Sequence, residues 1–257
     1  MRNALRSVGK RLALLILPVA VSFPALVPHT AIAACQNSGR YYYAESYSSY
    51  PGGADGISAR FQLDTVTPYV CAEAASHTVE SVAMYLPNGP NDFLEIGVDR
   101  GEATNTYGGQ ACPQNCPGQY WFFTFSNTPS NGASNLYVGG PVAGTSHTNS
   151  IQQFVRCTPN CYLYAHFRTD ATDWPENILP AGDFPSTSVL TNGEVLNDPT
   201  DAMGGNTFDQ LQYHASGWLG FTNYSVSTGY DPYCNYNTSS GGVFSSYNWG
   251  PHGAFGC

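Results

Sequence analysis

Two glutamates stand inside stretches that are otherwise apolar and small. Glu95 lies in Asp92-Phe93-Leu94-Glu95-Ile96-Gly97-Val98-Asp99, and Glu194 in Thr191-Asn192-Gly193-Glu194-Val195-Leu196-Asn197. A carboxylate in such a setting costs stability unless it meets water or a partner, so its presence asks for a reason. Gly97 and Gly193, close to the two carboxylates, would leave room for a substrate backbone. The competing reading is structural, with each glutamate on a solvated sheet face or paired with an arginine. Other chemistries fall away on residue types. The sequence contains no Gly-x-Ser-x-Gly elbow, no His-Glu-x-x-His and no glycine-rich phosphate loop. His77, His147, His166, His214 and His252 fall at no metal-ligand spacing, so neither a metal nor another cofactor is expected. Lys10 is the single lysine, which removes Schiff-base chemistry from the rest of the chain. Any hydrolysis here would fall to carboxylates.

The elements that must carry these residues are short alternating stretches divided by Gly, Pro, Asn and Asp, the pattern of antiparallel strands in a sandwich or barrel. Strands are predicted at 57–63, 79–86, 93–99, 119–126, 151–156, 162–168, 187–196 and 208–214, with almost no helix signal. Neighbouring residues of a strand face opposite ways. Leu94, Ile96 and Val98 therefore make a core face, with Glu95 on the other side. In Tyr162 to Arg168, Leu163, Ala165 and Phe167 face the core, leaving Tyr162, Tyr164, His166 and Arg168 on one polar, aromatic row. That row fits the floor of a substrate cleft shared with the glutamates, or equally an ordinary solvated face. Trp121, Trp174 and Trp218 add stacking surface. Residues 35–55, rich in Tyr and Ser, read as an N-terminal arm, and 222–257 as a cysteine-held wrap around a single domain spanning 34–257.

Residues 1–33 read as an export signal: basic Arg2 to Arg11, an apolar core from Leu12 to Val27, and the small-x-small site Ala31-Ile32-Ala33. Secretion is expected, with a lipid anchor on Cys35 as the lesser alternative. Beyond residue 33, five arginines stand against 18 acidic residues. So acidic a surface repels phosphate backbones and anionic lipids, which excludes nucleic-acid and membrane partners from the expectation. Eight cysteines in an oxidising compartment favour four disulfides. Cys112 with Cys116, and Cys157 with Cys161, are expected to close tight Pro/Asn-containing loops; a four-thiolate zinc site is the alternative. Cys35 with Cys71 and Cys234 with Cys257 remain by proximity.

Ser81-Val82-Ala83-Met84-Tyr85-Leu86-Pro87-Asn88-Gly89-Pro90 followed by Phe93-Leu94-Glu95-Ile96-Gly97-Val98 resembles the neprosin family of secreted glutamic peptidases. There, a strand, an Asn/Ser-Gly-Pro turn and a strand with Glu-x-Gly occur in this order. The second stretch also resembles the related eqolisin pattern, in which glutamine takes the place of Glu95. Tyr120 to Phe125 is similar to the family's aromatic strand and Cys157 to Cys161 to its cysteine loop. Asn192 to Asn197, with Ala202-Met203-Gly204-Gly205, resembles the segment of the second family glutamate. Val98 stands where the family has tryptophan, and Asp198 to Asp201 where it has His-Thr.

The resemblance implies an all-β, antiparallel concanavalin-like sandwich (jelly roll) with Glu95 and Glu194 facing each other across a cleft. It also implies a secreted, acid-acting endopeptidase for peptide or protein substrates. Two carboxyls in one site cannot both ionise easily. One would take a proton from water while the other donates to the scissile carbonyl oxygen. Two carboxylates on a sandwich suit a carbohydrate-active enzyme as well, and the tyrosine row suits a non-catalytic carbohydrate- or partner-binding protein.

Overall fold

The computed structural model describes residues 41–63, 77–89, 91–101, 121–128, 132–138, 140–196, 206–221, 225–229, 233–238 and 243–248. All fall in one compact unit, Ala34–Cys257. The expected export signal, Cys35, Cys71, Cys112, Cys116, His252, Cys257 and the Met203 stretch lie outside the described residues.

Sixteen strands are described: β1 (Tyr41–Ala54), β2 (Gly56–Gln62), β3 (His77–Tyr85), β4 (Phe93–Gly101), β5 (Trp121–Thr128), β6 (Gly132–Val138), β7 (Ser146–Cys157) and β8 (Cys161–Thr169). There follow β9 (Thr172–Asp173), β10 (Asn177–Leu179), β11 (Ser186–Leu196), β12 (Asn206–His214), β13 (Trp218–Gly220), β14 (Ser225–Gly229), β15 (Tyr233–Thr238) and β16 (Val243–Asn248). One sheet runs β14-β1-β11-β3-β4-β5-β6 and the other β10-β8-β7-β2-β12-β16-β15, with β9 beside β8 and β13 beside β12. The fold is an antiparallel β-sandwich.

The sheets meet through the faces that alternation predicts. Val82, Met84, Leu94, Ile96, Val98 and Val189 from the first sheet pack with Ile57, Phe61, Ile151, Leu163, Phe167 and Phe208 from the second. Each such side chain, fully buried, contributes about 1.5–3 kcal/mol of transfer free energy. The β7–β8 hairpin is closed by the disulfide between Cys157 and Cys161, which face each other in register.

Two departures from the sequence reading concern the ends. Residues 41–54 are not an arm: β1 lies inside the first sheet, paired with β11 on one edge and β14 on the other. Its Tyr/Ser run has no apolar alternation to announce it, and backbone pairing on both sides holds it in the sheet. Within 222–257, β14 joins the first sheet while β15 and β16 extend the second.

Candidate functional site

Glu95 projects from the face of β4 opposite Leu94, Ile96 and Val98, all of which are wholly buried in the core. Register then assigns the other strands' contributions to that outer face. Ala83 and Leu190 lie level with Glu95; Ser81 and Asn192 lie level with Gly97; Val79 and position 194 lie level with Asp99. Across the β4–β5 boundary the same levels carry Phe125, Phe123 and Trp121. Glu95 and Glu194 thus share one face, on strands β4 and β11, with β3 between them. Ser81 is their midpoint. Each glutamate position is its diagonal cross-strand neighbour at about 7–8 Å, in opposite directions, so the two positions stand on the order of 15 Å apart on one sheet; the expectation that they face each other across a cleft is corrected.

The face is sheltered. Ser81 is 0% exposed and Asn192 6%, while Val79, Phe123 and Phe125 form an apolar cluster with Phe93 against it. Phe93 and Phe125 rings lie 4.9 Å apart. Within this setting the Ser81 hydroxyl donates a hydrogen bond to Glu95 Oε1. Trp121, level with Asp99, has a buried indole Nε1 that makes no hydrogen bond among the described residues. Beyond the Glu95 level, Tyr85, Leu86, Pro87, Gly89, Thr187 and Ser188 line a hollow of about 460 Å³.

Gly97 serves the scaffold rather than a substrate. A Cβ there would lie 2.2 Å from the Glu80 carbonyl oxygen and 2.7 Å from Ser81 Cβ, so the absent side chain lets β3 approach β4. Gly193 pairs with Glu80 on the core side, away from Glu95.

The tyrosine row is not brought to this face. Tyr162, Tyr164 and His166 are on β8 in the second sheet, opposite core-facing Leu163, Ala165 and Phe167. Their row therefore lies across the core from Glu95, so the expectation of one shared floor is corrected. There Tyr164 stacks on Phe154, centroids 5.7 Å apart. The Arg156 guanidinium sits 5.1 Å and 4.9 Å from those two rings and holds Glu176 through two bonds of 2.9 Å. His166 pairs with Asp173 at 3.1 Å, His147 with Asp170 at 2.8 Å, and His214 with Asp55.

No protein-family model and no curated protein sequence matches the chain. Solved structures do. A scytalido-glutamic peptidase bound to a peptide-based transition-state analogue superposes with a TM-score of 0.54 at 10% identity, covering 81% of this chain and 98% of that one. SCP-B, a member of the eqolisin family in complex with the tripeptide Ala-Ile-His, gives 0.51 with the same identity and coverage. The chain shares its fold with eqolisin glutamic peptidases. At this identity the likeness concerns the sandwich alone; the register on the outer face of the first sheet is this chain's own.

Sequence reasoning missed Ser81, whose type is unremarkable until its hydroxyl is seen on Glu95. It also missed two buried acids. Glu80 is wholly buried on the core side of β3. Asp183, in a 3-10 turn at Ala181–Asp183, is wholly buried as well. Burial is the main cause pushing the Asp183 carboxyl up from its ordinary value of 3.8, and Asp92 adds to it. The Asn88 amide, which donates to Asp183 Oδ1, opposes the shift. The signal available was an acid flanked by Gly182 and Phe184, which is also what a surface turn looks like.

Proposed function

We propose that the chain is a secreted, acid-acting glutamic endopeptidase, neprosin-like in its motifs, in which Glu95 and Glu194 activate water against a peptide bond. The observation that carries this reading is the register: Glu95 and position 194 occupy one sheltered face, on either side of Ser81. The eqolisin-type sandwich and the family-like motifs around both glutamates support it. An export signal at residues 1–33 would deliver the enzyme outside the cell.

In the proposed reaction the ionised Glu194 takes a proton from water as the water oxygen attacks the scissile carbonyl carbon. Protonated Glu95 donates to the carbonyl oxygen, stabilising the charge that develops there. As the C–N bond breaks, the amide nitrogen takes the proton held by Glu194 and leaves as the amine, while Glu95 recovers its own. The hollow lined by Tyr85 and Thr187 is suited to a substrate side chain.

Incubation with an unfolded protein across pH, with soluble polysaccharides in parallel, tests the class. Peptide products should form with a bell-shaped pH dependence whose limbs both lie on the acid side. Glu194→Gln should abolish turnover, since an amide cannot accept the proton of water. Glu95→Gln should lose about a hundred- to a thousandfold or less, because an amide still donates to the carbonyl oxygen. Wild-type turnover in Glu194→Gln would sink the reading; sugar products without peptides would replace it with carbohydrate chemistry.

A further inference from the structure

We infer that the end of the sandwich where the 86–92 turn, the Ala181–Asp183 turn and β7 meet is a calcium site, held by the carboxylates of Asp183 and Asp92 and the side-chain amide oxygen of Gln153. Three separate parts of the chain converge there. The Asn88 amide donates to Asp183 Oδ1. Gly182 packs on that same amide, so closely that a Cβ at 182 would lie 3.0 Å from both of its polar atoms. From another side, Gln153 Nε2 donates to the Asp183 carbonyl oxygen at 2.8 Å. Asp92 closes the 86–92 turn, its backbone N–H on the Gly89 carbonyl and its carbonyl on the Leu86 N–H. Asp92 Oδ2 lies 2.9 Å from where a Cβ on Gly89 would be.

What these groups lack is a donor. Asp183 Oδ2 and Gln153 Oε1 are both buried and make no hydrogen bond among the described residues. Gln153 is the more telling of the two. It alternates with Ile151 on the core-facing side of β7, a position that suits an apolar residue, and is 1% exposed. Beside it lie two carboxyls, Asp183 wholly buried and Asp92 8% exposed. Arg60, Arg156 and Arg168 engage Asp209, Glu176 and Asp173 instead. Buried acceptors that carry negative charge and meet no donor call for a cation. Carboxylate and amide oxygens are the ligands of a hard ion, and calcium accepts an irregular set of them. It sits about 2.3–2.6 Å from each, closer than a hydrogen-bonded water, so burial of these oxygens does not bar it. Among the described residues no three His, Cys, Asp or Glu side chains converge. The third place here belongs to an amide oxygen, which the spacing of histidines and cysteines does not reveal. Calcium at this point would tie two turns of the first sheet to β7 of the second.

The test uses the full chain near pH 7, freed of metal with a chelator and then titrated with calcium or magnesium chloride. Equilibrium dialysis should find one calcium per chain. Calcium at about a hundredfold excess over Kd should raise the melting temperature by about 5–10 °C. Magnesium, which gives up its waters reluctantly, should bind at least about tenfold more weakly. Asp183→Asn and Gln153→Leu should each weaken calcium about tenfold or more, while Glu176→Gln, beside Arg156, should leave it unchanged. In chelator, Asp183→Asn should melt no lower than wild type, because it buries no charge; in calcium the order should reverse. Should Asp183→Asn or Gln153→Leu fail to fold, Asp92→Asn decides by the same loss of affinity. No stoichiometric calcium, equal binding of magnesium, or full affinity in the site variants overturns the proposal. A melting temperature indifferent to calcium overturns it too, and leaves a proton on Asp183 to fill the gap.

Discussion

The two outer faces of the sandwich carry the same kind of residues and differ in how those residues are settled. On the second sheet, Tyr164, Phe154 and Arg156 stack together, Arg156 is held by Glu176, and His166 by Asp173. Arg156 and Asp173 stand 52% and 63% exposed. Exposed pairs of this sort are screened by water and contribute little. On the first sheet, Glu95 meets a buried serine and lies beside a cluster of buried phenylalanines. A polar, aromatic row is therefore not itself a mark of chemistry. The useful distinction is whether the polar groups of a face are paired at the exposed surface or set among buried neighbours.

The largest effect expected from breaking this difference is on the scaffold of the first face. Gly97→Ala forces a Cβ into the Glu80 carbonyl, so unfolding by heat or denaturant should show a loss of at least about 1–3 kcal/mol. Gly220→Ala at the edge of the second sheet has open space around it and should change stability by less than about 0.5 kcal/mol. Equal losses in both would mean that β3 and β4 can part freely, and the tight seat of Ser81 would go with them.

A middle-sized effect separates acidity in the site from acidity in the scaffold. Asp183 binds its proton more tightly in the folded chain than in the unfolded one. Its contribution to stability is thus fully present below pH 3.8 and fades as pH rises through the elevated folded value. Asp183→Asn has no proton to lose, so its melting temperature should gain on wild type as pH increases above that point. The pH dependence of turnover should stay where it was. A shift of the activity profile would tie this acid to the reaction.

The smallest effect tests the second face. Tyr164→Ala removes the stacked ring and one cation–π contact, a loss of about 0.5–1 kcal/mol in unfolding experiments. Turnover of a protein substrate should stay within about twofold of wild type. More than a tenfold fall would bring the second face back as part of the substrate surface, and the contrast between the faces would collapse.

Much of this molecule could be read along the chain, because alternation is local. Leu94, Ile96 and Val98 against Glu95, and Leu163, Ala165 and Phe167 against Tyr164, each state within one strand which side meets the core. The cysteine loop at 157–161 was equally local. What alternation cannot state is which sheet a strand joins, since both sheets use the same period of two. That is why Tyr162, Tyr164 and His166 could look like neighbours of Glu95 and yet lie across the core from it. It is also why β1, with no apolar period, was legible only through its pairing.

The residues around Glu95 show where the division falls. Its isolation among apolar neighbours, and that of Glu194, was written in the sequence, because burying a carboxylate is costly wherever the strand goes. That Ser81 sits between them was not, since residues 81, 95 and 194 are joined only by the register of three strands. Strand register is a cooperative choice of the whole sheet, made by summed backbone pairing and core packing rather than by any one residue. Gly97 makes the point most plainly: as a letter it suggested room for a substrate, and in the sheet that room is filled by β3.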